Sequence, residues 1–257
     1  MLTNPTLDKL QRMRLTGIYD AYREQLESTR YDALTFDERF AMLIDRHEAE
    51  QDMRRLQTRL KKAKLRQSAC VEDIDYRHAR GLNKTLMRSL AECAWLRSHE
   101  NCIITGPTGT GKSYLACALG HQACRKGYSV LYFRAPRLFK ELAVARGTGR
   151  YERMLRALLR CDLLLIDDWG TALLTDEERR DLFEIMEDRY DRRSTLIAAQ
   201  MPLEHWHECI GDPTLADAIL DRLIHNAHTL TLEGESMRKR KKSLTSGGKS
   251  DTTTNNS

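Results

Sequence analysis

An α/β fold with a five-stranded parallel sheet, preceded by a small all-helical unit, is the architecture this sequence predicts. Three observations carry it. From about residue 101 short apolar runs alternate with amphipathic stretches, the pattern of strands joined by crossover helices. Residues 1–66 show helical periodicity and no strand-like run. Where the first predicted strand meets a helix lies a glycine-rich loop, Gly106-Pro107-Thr108-Gly109-Thr110-Gly111-Lys112-Ser113.

In the helical unit, Leu15, Ile18, Tyr22 and Leu26 share one face, and Phe36, Phe40, Leu43 and His47 share the face of another helix. Asn4-Pro5 suits a helix start, and Thr35 with Glu38 suits a capping box. At the end of the second helix Arg55, Arg59, Lys62 and Arg66 lie three and four apart, which makes one basic stripe. Such a stripe is either a solvated face or a nucleic-acid contact. Residues 67–100 read as a linker and a helix over 84–96. The core domain, 101–242, carries expected strands at 102–105, 129–133, 162–166, 195–199 and 228–232. These runs are apolar on both faces, so helices must cover the sheet on both sides. Residues 243–257 are rich in Ser, Thr, Asn and Gly, carry Leu244 as their one large apolar side chain and are expected to be disordered.

Hydrophobic residues make up 41% of the 257 and charged residues 31%, the balance of a soluble globular chain. No run approaches the roughly 18 apolar residues of a membrane span, and no signal-peptide core is present. A cytoplasmic protein with no membrane partner is therefore expected. The seven cysteines are odd in number and form no C-x-x-C, which reads as reduced thiols. His205, His207 and Cys209 are close in sequence, as are His225 and His228, but no second cluster of ligand-type spacing supports a metal site there. The net charge of +5 is unevenly placed. Seven basic residues and no acid fall between Arg54 and Arg66, and Arg238-Lys239-Arg240-Lys241-Lys242 is a second block. Both suit a polyanion.

The loop Gly106–Ser113 fits G-x-x-x-x-G-K-[ST]. Glycines let backbone N–H groups curl around phosphates. Lys112 is expected against the β- and γ-phosphates of ATP, and Ser113 on Mg²⁺. Gly106, Pro107, Thr108, Gly109, Thr110 and Gly111 supply the cradle. Leu163-Leu164-Leu165-Ile166-Asp167-Asp168 is a buried-strand run ending in two carboxylates. Asp167 suits the Mg²⁺ shell. Asp168 suits orientation of the attacking water, or else caps the turn before Trp169-Gly170. Gln200 ends a further strand where it would sense the γ-phosphate or position the water. Arg222 lies on an amphipathic helix and suits an arginine finger given to a neighbouring subunit. Arg238 either contacts the nucleotide or begins the basic tail. Between the second and third strands Arg137, Lys140, Arg146, Arg150 and Arg153 fall on two helices, a run of cations that suits phosphate contact better than base reading.

Together these residues resemble the IstB-like proteins, ATP-binding helpers of insertion-sequence transposition, over about residues 5–240. The resemblance rests on Gly106–Ser113, Asp167-Asp168-Trp169-Gly170, the run from Gly211 to Leu223, and Gly234-Glu235-Ser236-Met237-Arg238. That family is similar to DnaC-type helicase loaders and to DnaA within the AAA+ class. The resemblance implies an AAA+ core that binds ATP between subunits and assembles as a homo-oligomer on duplex DNA. It also implies target-site selection and engagement of a transposase that performs the strand transfer. Arg222 matches the trans arginine finger and Arg238 the second sensor arginine. Few residues follow the last expected strand, so the helical lid usual in this class is expected to be reduced or absent. A helicase loader, a small-molecule kinase and a non-hydrolysing ATP switch are the competing readings.

Overall fold

The computed structural model describes residues 4–237. Arg238, the basic block that follows it and the Ser/Thr/Asn-rich tail lie outside the described residues. The chain divides into two compact units, Met1–Lys61 and Lys62–Ser257.

The first unit is helical as expected. Helix α1 spans Pro5–Arg12, with Asn4 accepting the Thr6 N–H at 3.0 Å and Pro5 in the first turn. Helix α2 spans Thr16–Glu27. Helix α3 spans Phe36–Ala63 and opens on the expected capping box: Thr35 N–H donates to Glu38 Oε2 at 2.8 Å, and Glu38 N–H donates to Thr35 Oγ1 at 3.3 Å. The Thr35 N–H and the Thr35 hydroxyl, both donating to Glu38 Oε2, hold the Glu38 carboxyl below its ordinary range. Of the face formed by Phe36, Phe40 and Leu43, only Leu43 is buried. Phe36 and Phe40 are exposed and stack on each other at 5.8 Å.

The second unit is a parallel sheet in the order β2-β3-β4-β1-β5. The strands are β1 Asn101–Thr105, β2 Val130–Arg134, β3 Leu163–Trp169, β4 Ser194–Ala199 and β5 Ala227–Thr231. All four pairings are parallel. Central strands β1 and β4 are buried at every residue, and their apolar stretches are Cys102-Ile103-Ile104 and Leu196-Ile197-Ala198-Ala199. The core around Ile103, Leu164, Ile166 and Ile197 also takes in Leu138, Leu142, Leu158, Leu182 and Ile219 from the helices.

Two local features depart from the sequence pattern. The helix expected over 84–96 is two helices, α4 Lys84–Ala91 and α5 Ala94–Arg97, because Cys93 between them takes a left-handed φ of 60°. Strand β3 does not stop at Ile166. It runs through both aspartates to Trp169, with a bulge: Ile166 pairs with Ile197 and Trp169 with Ala199, so Asp167 and Asp168 together oppose Ala198 alone. Asp168 absorbs the extra residue at φ 56°.

The remaining helices are α6 Lys112–Arg125, α7 Ala135–Gly147, α8 Tyr151–Arg160, α9 Asp176–Arg189, α10 Trp206–Ile210 and α11 Pro213–Ile224. Among the described residues no helix is long and apolar enough to cross a membrane. None of the seven cysteines is in a disulfide.

Candidate nucleotide site

The glycine-rich loop joins β1 to α6, at the carboxyl edge of the sheet where ligands of parallel α/β folds gather. Gly106, Gly109 and Gly111 all hold positive φ. At Gly106 a side chain would also run into the Leu232 carbonyl, so only glycine lets the chain turn there. Gly111 directly precedes α6, and Lys112 starts it, so the helix N-terminus faces the loop. Lys112 is largely buried. Its ammonium donates to the carbonyls of Gly106 at 2.7 Å and Pro107 at 2.8 Å, which folds the cation back into the loop's concave side. Helix α6 packs on β3 and β4, and β3 carries the acid pair near its carboxyl end.

Asp167 is almost fully buried in β3, two residues before the strand ends at Trp169. Tyr132 Oη donates to its Oδ2 at 2.8 Å, and the Asp168 N–H donates to its Oδ1 at 2.9 Å. Burial and the neighbouring carboxylate push the Tyr132 phenol up, so it stays a donor. Asp168 is turned by the bulge and engages two guanidiniums. Arg134 Nε lies 2.5 Å from its Oδ2, and Arg66 Nη1 lies 3.4 Å from the same oxygen. Gln200, directly after β4, accepts from Thr108 Oγ1 at 2.7 Å. The structure thus brings the loop, Asp167, Asp168 and Gln200 to one edge of one sheet. Hard oxygen donors at Ser113 and Asp167, beside a cradle lined by glycines and a lysine, fit a Mg²⁺–nucleotide complex.

Arg222 sits elsewhere. Its carbonyl accepts from the side chain of Asn101, the first residue of β1, so it lies at the amino edge of the sheet. The length of β1 alone, about 13 Å, separates that edge from the loop. Its guanidinium pairs with Glu187, donates to Ala218 O at 2.7 Å and covers the Phe183 ring. Arg222 therefore lies at the opposite edge of the sheet from the loop of its own chain.

Several basic residues are placed differently from the sequence pattern. Helix α3 ends at Ala63 and Lys64 takes a left-handed φ, so Arg66 leaves the stripe and turns to the two aspartates. Arg55 remains exposed and pairs with Asp52, and Lys62 is exposed near the helix end; Arg59 is half-buried. Arg137, Lys140, Arg150 and Arg153 line a cleft of about 990 Å³ between α7 and α8. Arg146 does not. It is committed to Asp181 and Glu177 and stacks on Tyr151, as a strut between α7 and α9.

Three functional or structural arginines escaped the sequence reading. Arg134 ends β2, and a charged residue at the carboxyl end of a predicted strand was the available signal. Arg80 is buried beside the loop, donating to Thr110 O at 2.9 Å and Asp75 O at 3.2 Å and contacting Met237 Sδ. It lies in a stretch without periodicity and offered no signal. The segment after β5 covers the loop as well, since Met237 N–H donates to Gly109 O at 3.0 Å. Arg189 is buried and donates to the carbonyls of Leu158, Cys161 and Ser194 and to Thr195 Oγ1.

Comparison with known proteins agrees with this arrangement. The family model for IstB-like ATP binding proteins matches residues 8–245. An insertion sequence ATP-binding protein of Sinorhizobium fredii is 52% identical over 239 residues, 93% of this chain and 98% of the relative. Among solved structures, DnaI superposes with a TM-score of 0.57 at 19% identity, over 65% of this chain and 92% of DnaI. The replication initiator DnaA, bound to AMPPCP and single-stranded DNA, gives 0.54 at 20% identity, over 71% of this chain and 56% of DnaA. These likenesses show that the chain shares the fold of those proteins. A match over nearly the whole chain, on a phosphate loop and acid pair built as described, makes this protein a member of the IstB-like ATP-binding family.

Proposed function

We propose that the chain is an ATPase that oligomerises on duplex DNA when it holds ATP, helps select a target site and recruits or stimulates the transposase of its element. One observation carries the reading: the loop and acid pair stand at one edge of the sheet while Arg222 is fixed at the other. A site so divided is completed only when a neighbouring subunit brings its Arg222 to the phosphates, and that ties turnover to assembly.

Within the site Lys112 neutralises the β- and γ-phosphates and the α6 N-terminus supports them. Ser113 and Asp167 would hold Mg²⁺, which would supply further charge neutralisation when bound. Asp168 orients the attacking water and Gln200 reads the γ-phosphate. Arg238 remains a proposed second sensor arginine. The insertion-sequence relatives favour a transposase over a helicase as the partner. The cleft cations Arg137, Lys140, Arg150 and Arg153 take phosphate groups, and Arg55, Arg59 and Lys62 add a second basic surface. DnaA, of the same fold, is itself a DNA-bound protein.

Anisotropy of a labelled mixed-sequence duplex, titrated with and without ATP across salt concentrations, tests this. ATP should tighten binding, with broad sequence tolerance and a steep log–log salt slope. Binding that ignores ATP, or a strict sequence preference with a flat slope, refutes it.

A further inference from the structure

One guanidinium from outside the sheet bridges both acids. Arg66 Nη1 lies 3.7 Å from Asp167 Oδ2 and 3.4 Å from Asp168 Oδ2. The segment around Arg66 fixes it there. Ala63 is fully buried, and Lys64 turns the chain with a φ of 53°. Leu65 then packs on α6 at Gly120, where a side chain would stand only 3.1 Å from it. Helix α6 opens on Lys112 and Ser113, so Arg66 is anchored on the same helix as the phosphate loop.

The charges say what this contact does. The side chains of Asp167 and Asp168 are 2% and 16% exposed, so two neighbouring carboxylates stand in poorly solvated surroundings and disfavour each other's charge. Arg66 answers both at once. A divalent ion held through Asp167 draws on the same carboxylate, whose Oδ2 also accepts from Tyr132 Oη and whose Oδ1 accepts the Asp168 N–H. A positive charge this close repels a second cation.

We infer that Arg66 is a positioning residue that sets the divalent-cation affinity of the site: it is a built-in counter-cation of the acid pair, and Mg²⁺ reaches Asp167 in competition with it. The inference rests on the reading of Asp167 as a Mg²⁺ ligand and deepens it. The Arg66 side chain is 41% exposed, so water screens its charge and receives it on release. The contact therefore shifts an affinity and does not act as an on–off gate.

The test reads thermodynamic linkage instead of turnover. Anisotropy gives the dissociation constant of a fluorescent ATP analogue for the full chain, once in EDTA and once at saturating Mg²⁺. The ratio of the two constants reports how much more tightly Mg²⁺ is held in the complex than on the free analogue. Arg66→Gln should raise that ratio roughly three- to tenfold over wild type, with most of the change in the Mg²⁺ arm. Arg66→Lys keeps the charge and should recover most of the wild-type ratio. Asp167→Asn should bring the ratio toward that of a site without the carboxylate, and adding Arg66→Gln to it should then change little.

A merely structural Arg66 would weaken both arms alike and leave the ratio unmoved. An unchanged ratio in Arg66→Gln, in a chain folded by circular dichroism, overturns the inference while nucleotide binding stands. Should that variant fail to fold, Arg66→Met, of similar length without the charge, reads the same ratio and overturns it equally. A wild-type ratio in Asp167→Asn removes Asp167 from the metal site, and an analogue that binds wild type in neither arm fails the nucleotide reading. Either outcome takes the inference with it.

Discussion

Replacing Arg222 by alanine separates two quantities that most substitutions confound. The side chain pairs with exposed Glu187 and lies over half-buried Phe183. A partly exposed ion pair contributes about 0.2–1 kcal/mol and an exposed cation–π contact about 0.5–1 kcal/mol. The subunit should therefore lose about 1–2 kcal/mol of stability and remain folded. As a finger in trans, the same guanidinium is worth on the order of 10³-fold or more in turnover. Phosphate release by Arg222→Ala should fall by at least that order, while binding of a fluorescent ATP analogue to the monomer stays within about twofold of wild type. Mixing supplies the sharper readout. Lys112→Ala removes the phosphate-binding cation but leaves Arg222 in place. In a one-to-one mixture of the two inactive variants, about a quarter of head-to-tail interfaces join an intact Lys112 to an intact Arg222. Turnover should reappear at about that fraction. A mixture as inactive as its parts, or an Arg222→Ala chain that hydrolyses ATP normally, refutes the divided site.

Other expectations concern single residues. Asp168→Asn should bind ATP normally and lose about 10²–10⁴-fold in turnover; an unchanged rate by phosphate release would remove Asp168 from the catalytic role. Arg189→Met strips the carbonyls of Leu158, Cys161 and Ser194 of a buried donor. Leaving buried acceptors unsatisfied costs about 1–3 kcal/mol each, so calorimetry should find a melting temperature lower by on the order of 10 °C for a unit of this size. Of the cysteines only Cys70 is not buried, and burial pushes the Cys102 thiol up to about 12. Thiol titration near pH 8 should therefore find Cys70 reactive in the folded chain and all seven cysteines reactive after denaturation.

The parts of the site that depend on chain order were legible before any coordinates. The loop needs a strand before it and a helix after it, and Ile103-Ile104 and Leu115-Leu119 provide them. Asp167 and Asp168 announce themselves because carboxylates at the end of an apolar run are unusual. What could not be read depends on which strands are neighbours. Arg134 meets Asp168 only because β2 pairs with β3, a fact no local pattern contains. Arg66 looked like the fourth member of a helical stripe, and nothing in its spacing foretold that α3 would stop at Ala63. The break at Cys93 was hidden for a related reason: its left-handed backbone is normally flagged by glycine or asparagine, not cysteine. Arg80 is the extreme case, a buried cation in a stretch whose conformation is set by the loop it supports.

The most direct measurement of the central claim is the mass distribution of the full chain, by sedimentation or mass photometry, alone, with ATP, with duplex DNA and with both. The divided site requires particles larger than a monomer when ATP and DNA are present together, and their loss in Lys112→Ala. A monomer under all four conditions would contradict it.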